Sequence, residues 1–397
     1  MNVEETDDFD AFASINASTW RRLAAASPVA SVFQTWEWTS AWWRHFGQGK
    51  RPWLLRFVDD GEVVGFCALY LPVRSAFIRT ARFIGTGVSD YLDLIAAPGK
   101  EDAVAHAFLQ FLEKNRRRWD WLDLREVRPG SVASRLVGGS TRLQAQSWQD
   151  SMCTYAPLPS SWNAFRATLP KKFRQNLDRR ASALERNYLV EYRLATAETL
   201  DADMDRFFEL HQRQWNEKGA PGAMGSPAVQ RFHKDVARAL LEIGLLRLHV
   251  LSLDGETRAT RYSFQKNNVV CGYLSGLDPN FAKFGLGNAL MACFIRDGIE
   301  ADGAREVDFL RGDETYKYGW GAQNRPSRRI ALTHRGLRST APVSAVRTIE
   351  EGLTVGVHRM GLRPRLLAYR IRTSLSPTAW LRGASPTAPA ERESADG

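Results

Sequence analysis

The stretch LSGLDPNFAKFGLGNALMACFIRDGIEADGAREVDFLRGDETYKYGWG, Leu274–Gly321, decides how the rest of the chain is read. A strand-like run ends at Gly276. A Gly-x-Gly turn, Gly285-Leu286-Gly287, then opens an apolar helix. A second strand, Val307–Leu310, follows it and ends in a dense polar cluster, Arg311-Gly312-Asp313-Glu314 with Tyr316-Lys317. Glycines at a helix start let a ligand approach backbone N–H groups that have no partner inside the helix. The helix dipole adds a preference for an anion such as a pyrophosphate. Ionisable groups just past the neighbouring strand are what a group-transfer reaction needs beside that anion.

Around this stretch, 397 residues imply two domains. A composition of 44% hydrophobic and 25% charged residues is that of a globular protein. The four cysteines, Cys67, Cys153, Cys271 and Cys293, have neither zinc nor redox spacing, so neither metal nor disulfide is expected. No signal peptide and no apolar run long enough for a membrane span is evident, and a cytoplasmic location is expected. The net charge is +10 and unevenly placed. One basic block holds Lys171, Lys172, Arg174, Arg179 and Arg180. Another runs from Arg359 to Arg382 without an acid. Each reads either as a binding surface for an anionic partner or as a solvated helix face.

Residues 1–15 read as a disordered acidic leader. Pro52–Val58 and Glu62–Leu71 flank an Asp59-Asp60-Gly61 turn as a hairpin. Ala81–Ile84, Tyr91–Ile95 and Trp121–Leu124 are further strand candidates, and Glu101–Arg117 has helical spacing. Residues 128–157 read as a connector. In the second half, Trp162–Leu169, Lys171–Asn187, Leu200–Glu217 and Pro227–Ile243 are helical. Val190–Leu194, Leu246–Leu253, Arg258–Gln265 and Val269–Gly276 are strands. The Asp-Gly-Glu turns at 60–62 and 254–256, and the Asp-containing strands at 121–124 and 307–310, recur in order, so two copies of one α/β unit are expected. The expected division is an N-terminal domain at 16–150, a C-terminal domain at 151–338 and a basic tail at 339–397, disordered from about 383.

The order of helices, antiparallel strands, Gly-x-Gly helix and strand resembles the GNAT acyltransferase fold, in its duplicated FemAB-like form. It is most similar to the BioF2-like or CelD-like acetyltransferases. The motifs that carry the resemblance are Phe33–Trp38 with Trp43, Ser89–Asp93, Leu169–Asn176, Leu210-His211, Trp215 with Lys218, Tyr273–Pro279, Gly285–Gly287 and Phe309–Lys317. It implies an α/β fold of two tandem GNAT-like domains and transfer from acetyl-CoA or another acyl-CoA to an amine or hydroxyl. By the same resemblance the acceptor is expected to be a small molecule, or a glycan- or lipid-linked one, in polysaccharide or envelope metabolism. The family's Arg/Gln-x-x-Gly-x-Gly/Ala signature is changed here, with Ala282 at its first position and Lys283 beside it.

On that reading Lys283, Gly285, Leu286, Gly287 and Asn288 bind the donor. Asp313, Glu314, Tyr316 and Lys317 are the catalytic candidates, because acyl transfer needs a base for the acceptor and an acid for the leaving thiolate. The same four residues also suit helix capping and an Asp313–Lys317 surface pair. Asp90, Tyr91, Trp215, Lys218, Tyr273 and Arg311 are candidates for acceptor binding. Nucleophile-elbow, Walker and metal-ligand spacings are absent from the sequence, so direct attack on a bound thioester is expected. Two rivals stay open: a FemAB-type transferase using aminoacyl-tRNA on a peptidoglycan precursor, and a membrane-surface adaptor docking through Arg359–Arg382.

Overall fold

In the computed structural model the described residues are 1–73, 78–139, 142–217, 219 and 222–334. Lys218 and the basic tail, with the membrane contact assigned to it, lie outside them. The strands are β1 (Asn2–Thr6), β2 (Lys50–Asp59), β3 (Glu62–Pro72), β4 (Thr80–Phe83), β5 (Ile95–Ala96), β6 (Trp121–Val127), β7 (Leu143–Pro157), β8 (Val190–Leu194), β9 (Leu246–Leu253), β10 (Glu256–Lys266), β11 (Val269–Leu277), β12 (Glu306–Arg311) and β13 (Gln323–His334). The helices are α1 (Phe9–Ala26), α2 (Trp36–Phe46), α3 (Glu101–Lys114), α4 (Trp162–Thr168), α5 (Lys171–Asn187), α6 (Leu200–Glu217), α7 (Pro227–Glu242), α8 (Leu286–Glu300) and the single turn α9 (Thr315–Gly319).

All of these strands join one mixed sheet, in the order β1-β2-β3-β4-β6-β13-β7-β12-β11-β10-β9-β8, with β5 on β3. The halves are stitched reciprocally. β7, from the first half, lies between β12 and β13, and β13, from the second, lies between β7 and β6. The expected boundary at residue 150 therefore falls inside a fifteen-residue strand. Residues 128–157 are a connector only as far as 142. β7 escapes hydropathy because Gln144, Gln146, Gln149 and Asp150 interrupt its apolar positions.

The expected disordered leader is a correction. Residues 2–6 form β1 on the edge of β2, with Glu4 paired to Arg56 and Glu5 accepting from Trp53 Nε1 at 2.7 Å. Asp8 caps α1 by accepting from Ala11 N. The acidic residues are thus strand partners and a helix cap. A second correction concerns Tyr91–Ile95, of which only Ile95 is in a strand. Residues 85–94 form a loop, tied down by Trp38 Nε1 donating to Ser89 Oγ at 2.9 Å and Gln34 Nε2 donating to Tyr91 O at 2.8 Å.

The main core of the first half lies between its strands and α3, with Phe57, Leu69, Phe83, Phe108, Leu122 and Leu124 almost wholly buried. In the second half α8 covers one sheet face, through Met291, Phe294 and Ile295. α6 and α7 cover the other face, where Phe207 and His233 meet the Tyr262 ring.

Candidate active site

β11 and β12 run parallel but pair only over Val269–Cys271 and Glu306–Asp308. From Gly272 and Phe309 onward they diverge and leave a fork. Opposite Tyr262 and Ser263 a bulge in β11 adds Tyr273, which re-aims that strand at the fork. On β12, Leu310 takes a left-handed φ of 56° beside a register shift.

The loop 85–91 of the first half crosses this fork. Tyr273 Oη donates to Val88 O at 2.6 Å, from the β11 side. Arg311 Nη2 donates to Ser89 O at 2.6 Å from β12, and pairs with Asp90 at 2.8 Å and Glu126 at 3.2 Å. Of the expected acceptor residues, the structure therefore brings Asp90, Tyr273 and Arg311 together. Tyr91 is adjacent but buried, with its hydroxyl on Asp308 Oδ2 at 2.9 Å. Trp215 packs against His211 and Gly222.

Glu126 is a residue the sequence reading missed. It lies in the bulge of β6 with φ 56°, 7% exposed, accepting from Ser151 Oγ and Ser327 Oγ. Burial, aided by Asp150 and Asp90 and opposed by Arg311, lifts its pKa to about 7. Desolvation of its inner side works against the charge of Arg311, whose side chain is 42% exposed, but Glu126 and Asp90 more than restore it. Nearby, Asp123 is buried too, yet Arg329, Arg82 and Arg125 hold it below the usual carboxylate range. Two buried acids on one strand thus carry opposite shifts, because three arginines surround one and further acids crowd the other.

The expected catalytic residues fall on both sides of the surface. Asp313 and Glu314 are exposed, and Tyr316 is 47% exposed. Lys317 is 3% exposed, and its Nζ donates to the carbonyls of Leu310 (3.4 Å), Arg311 (2.9 Å) and Gly312 (3.1 Å). Its ion pair is with Glu314 at 2.9 Å, three residues back, and not with Asp313. Lys317 therefore ties down the carbonyls at the end of β12, just past its left-handed residue Leu310.

At the other end of the fork, Gly285 follows a 3-10 turn with φ 68° and ψ 43°, and starts α8 with no side-chain cap. A Cβ there would fall 2.4 Å from Arg180 Nη1. Arg180, half-buried on α5, thus holds its guanidinium against the open N-terminus of α8. Among the described residues it makes no hydrogen bond or ion pair. A cation at the positive end of a helix is unfavourable unless an anion joins them. Gly287 faces Leu277 at 3.1 Å, and the Leu286 side chain is core, so these residues offer only backbone to a ligand. Lys283 lies over the Phe284 ring, and Asn288 accepts from Trp320 Nε1 at 3.3 Å.

These features agree with the comparisons. Residues 171–318 match the family described as "Acetyltransferase (GNAT) domain". No curated protein matches the chain in sequence. Among solved structures, FemX is similar over 82% of this chain and 96% of its own, at 10% identity and TM-score 0.59. The C-terminal domain of a protein assigned as lysylphosphatidylglycerol synthetase from Agrobacterium fabrum covers 84% and 96%, at 12% identity and TM-score 0.54. A conserved protein of unknown function from Bacteroides thetaiotaomicron covers 84% and 100%, at 11% identity and TM-score 0.53. The matched segment, which holds the glycine turn and the β12 side of the fork, is thus a GNAT-type acetyltransferase domain. The chain as a whole has a fold similar to that of FemX, with its two halves joined in one sheet.

Proposed function

We propose that this protein transfers an acyl group from an acyl-CoA thioester to an amine or hydroxyl of a small, glycan-linked or lipid-linked acceptor in the cytoplasm. The observation that carries the donor is Arg180 held unpaired against the uncapped, left-handed Gly285 turn of α8. The coenzyme pyrophosphate fits there, neutralising the cation and accepting the first amides of the helix. From that turn the free edge of β11 runs back five residues to Gly272, roughly 16 Å at strand rise. That span suits an extended pantetheine arm, and it puts the thioester at the fork.

The acceptor enters on the side of the loop 85–91. Glu126, with its pKa near 7, is the group suited to take a proton from it at neutral pH. The acceptor nitrogen or oxygen attacks the thioester carbonyl, the new C–N or C–O bond forms, and the C–S bond breaks. The coenzyme leaves as thiolate and takes a proton from Tyr316 or from water. Polysaccharide or envelope metabolism as the setting rests on the resemblance to CelD-like proteins and on the names of FemX and the synthetase. Arg359–Arg382 docked on an anionic membrane would bring a lipid-linked acceptor near. Liposome co-sedimentation with and without residues 340–397 tests that contact.

Calorimetry against acetyl-CoA and longer acyl-CoAs tests the donor. Micromolar binding is expected, weakened about tenfold or more in Arg180→Ala, the size of a lost charge-assisted contact. If no acyl-CoA binds, the aminoacyl-tRNA reading takes over. Its support is the FemX-like fold and the N-terminal turn of α5, where Lys171, Lys172 and Arg174 form no ion pair among the described residues. Steep loss of tRNA binding with added salt would then be the signature.

A further inference from the structure

On the α8 face of the second half, one row of polar side chains crosses the sheet. His249 on β9, Arg261 on β10 and Ser275 on β11 are register partners, so they lie side by side. Arg261 is 5% exposed and, among the described residues, has no carboxylate partner. Its Nη1 donates to Ser275 Oγ at 3.1 Å, its ring neighbour is Phe294 at 4.8 Å, and its Nε is buried with no partner. His249 Nε2 and Ser263 Oγ, on the same face, are buried and unpartnered as well. His249 is already committed on its other side, to Tyr192, whose hydroxyl donates to Asp297 at 2.7 Å.

An arginine in this position is costly. Every other almost fully buried arginine or aspartate described above has an opposite charge beside it, but this guanidinium has one hydroxyl and one aromatic face. The backbone makes room for it. A Cβ on Gly272 would fall 2.2 Å from Arg261 Nη2, so the guanidinium lies flat on the strand where only glycine fits. Gly272 is the first residue of β11 past its pairing with β12. The unneutralised charge therefore sits at the apex of the fork, on the donor's side of the sheet.

We infer that Arg261, with Ser275, selects an acyl group that ends in a carboxylate, the monothioester of a short dicarboxylic acid. This rests on the acyl-CoA reading above, which brings the acyl end of the donor to the apex. A terminal carboxylate would give Arg261 the counter-charge the fold withholds. An aminoacyl group, with its ammonium, would be repelled there, so the same residue argues against the tRNA-dependent rival.

The test is calorimetry of the full-length protein with coenzyme A, acetyl-CoA and succinyl-CoA. Succinyl-CoA is expected to bind on the order of tenfold or more tighter than acetyl-CoA, as a charge-assisted pair would give. Arg261→Gln should erase that preference while leaving coenzyme A affinity within about twofold, which also reports that the variant is folded. Ser275→Ala, a milder change, should reduce the preference part of the way. If coenzyme A binds but wild-type protein holds the two thioesters alike, Arg261 is structural and the inference is wrong, while the donor class stands. If coenzyme A and both thioesters fail to bind, the acyl-CoA reading falls and this inference with it.

Discussion

At the scale of single residues, charge and placement separate roles that residue type alone leaves mixed. Lys317 looked catalytic because it follows a strand end among acids. In the fold it is buried and donates to three backbone carbonyls. Lys317→Met should cost roughly 2–4 kcal/mol, because those carbonyls and Glu314 lose their partner. Asp313→Ala, at an exposed position, should stay within about 0.5 kcal/mol. Urea unfolding of both variants checks the contrast. Glu126 gives the converse case. Its folded pKa of about 7 lies above the ordinary glutamate value, so the folded state binds the extra proton. Its contribution to stability is fully present below about pH 4.5 and is lost as pH rises to 7, by roughly 3 kcal/mol for the isolated group. Glu126→Gln should therefore raise the urea midpoint at pH 8 relative to wild type and change it little at pH 4.5, and it should lower kcat. An unchanged midpoint difference across that range would remove the shifted carboxyl. Neither Glu126 nor Arg261 was legible in the sequence, because each matters through groups distant in the chain. The available signal was weak: an ionisable residue within an apolar strand, at Leu124-Arg125-Glu126 and at Thr260-Arg261-Tyr262.

At the scale of elements, the hairpins, the helices of the second half and the Gly-x-Gly helix were legible because each has local punctuation. Asp254-Gly255 takes left-handed angles in its turn, and Gly285 does the same before α8. β7 and β13 were not recognised, since their buried sides include arginine, serine and threonine whose partners lie on other strands. Ser327 is 0% exposed and meets Ser151 and Glu126; Arg329, 4% exposed, meets Asp123 at 2.6 Å. Hydropathy counts such residues as surface. The Gly285 turn supplies a prediction at this scale. Gly285→Ala forces an L side chain into left-handed geometry, at about 1–2 kcal/mol, and drives Arg180 away from the helix end. Thermal melts should show a modest loss of stability. Coenzyme A affinity should fall by about the same factor as in Arg180→Ala, and the double variant should add little, since both changes remove one site.

At the scale of the whole molecule, the duplication was legible from the recurring turns and strands, but the joining of its halves was not. The described residues belong to one compact unit, in which β7 and β13 are exchanged and the loop 85–91 reaches across to Tyr273 and Arg311. Tyr91 and Arg325 both meet Asp308 beneath that loop. Differential scanning calorimetry of the full chain should therefore show one cooperative transition, with calorimetric and van't Hoff enthalpies equal. Two separable peaks would mean the halves unfold independently in spite of the shared sheet.

The exchanged strands also bear on how such a chain can change over generations. A gene that doubles and keeps its copies as neighbours can shuffle, lose or replace one of them. Here each copy has lent the other a strand, so recombination that brought in a foreign half would have to import a matching lender. A half replaced on its own would leave strand edges unfilled, so the two halves can vary in their loops but not part.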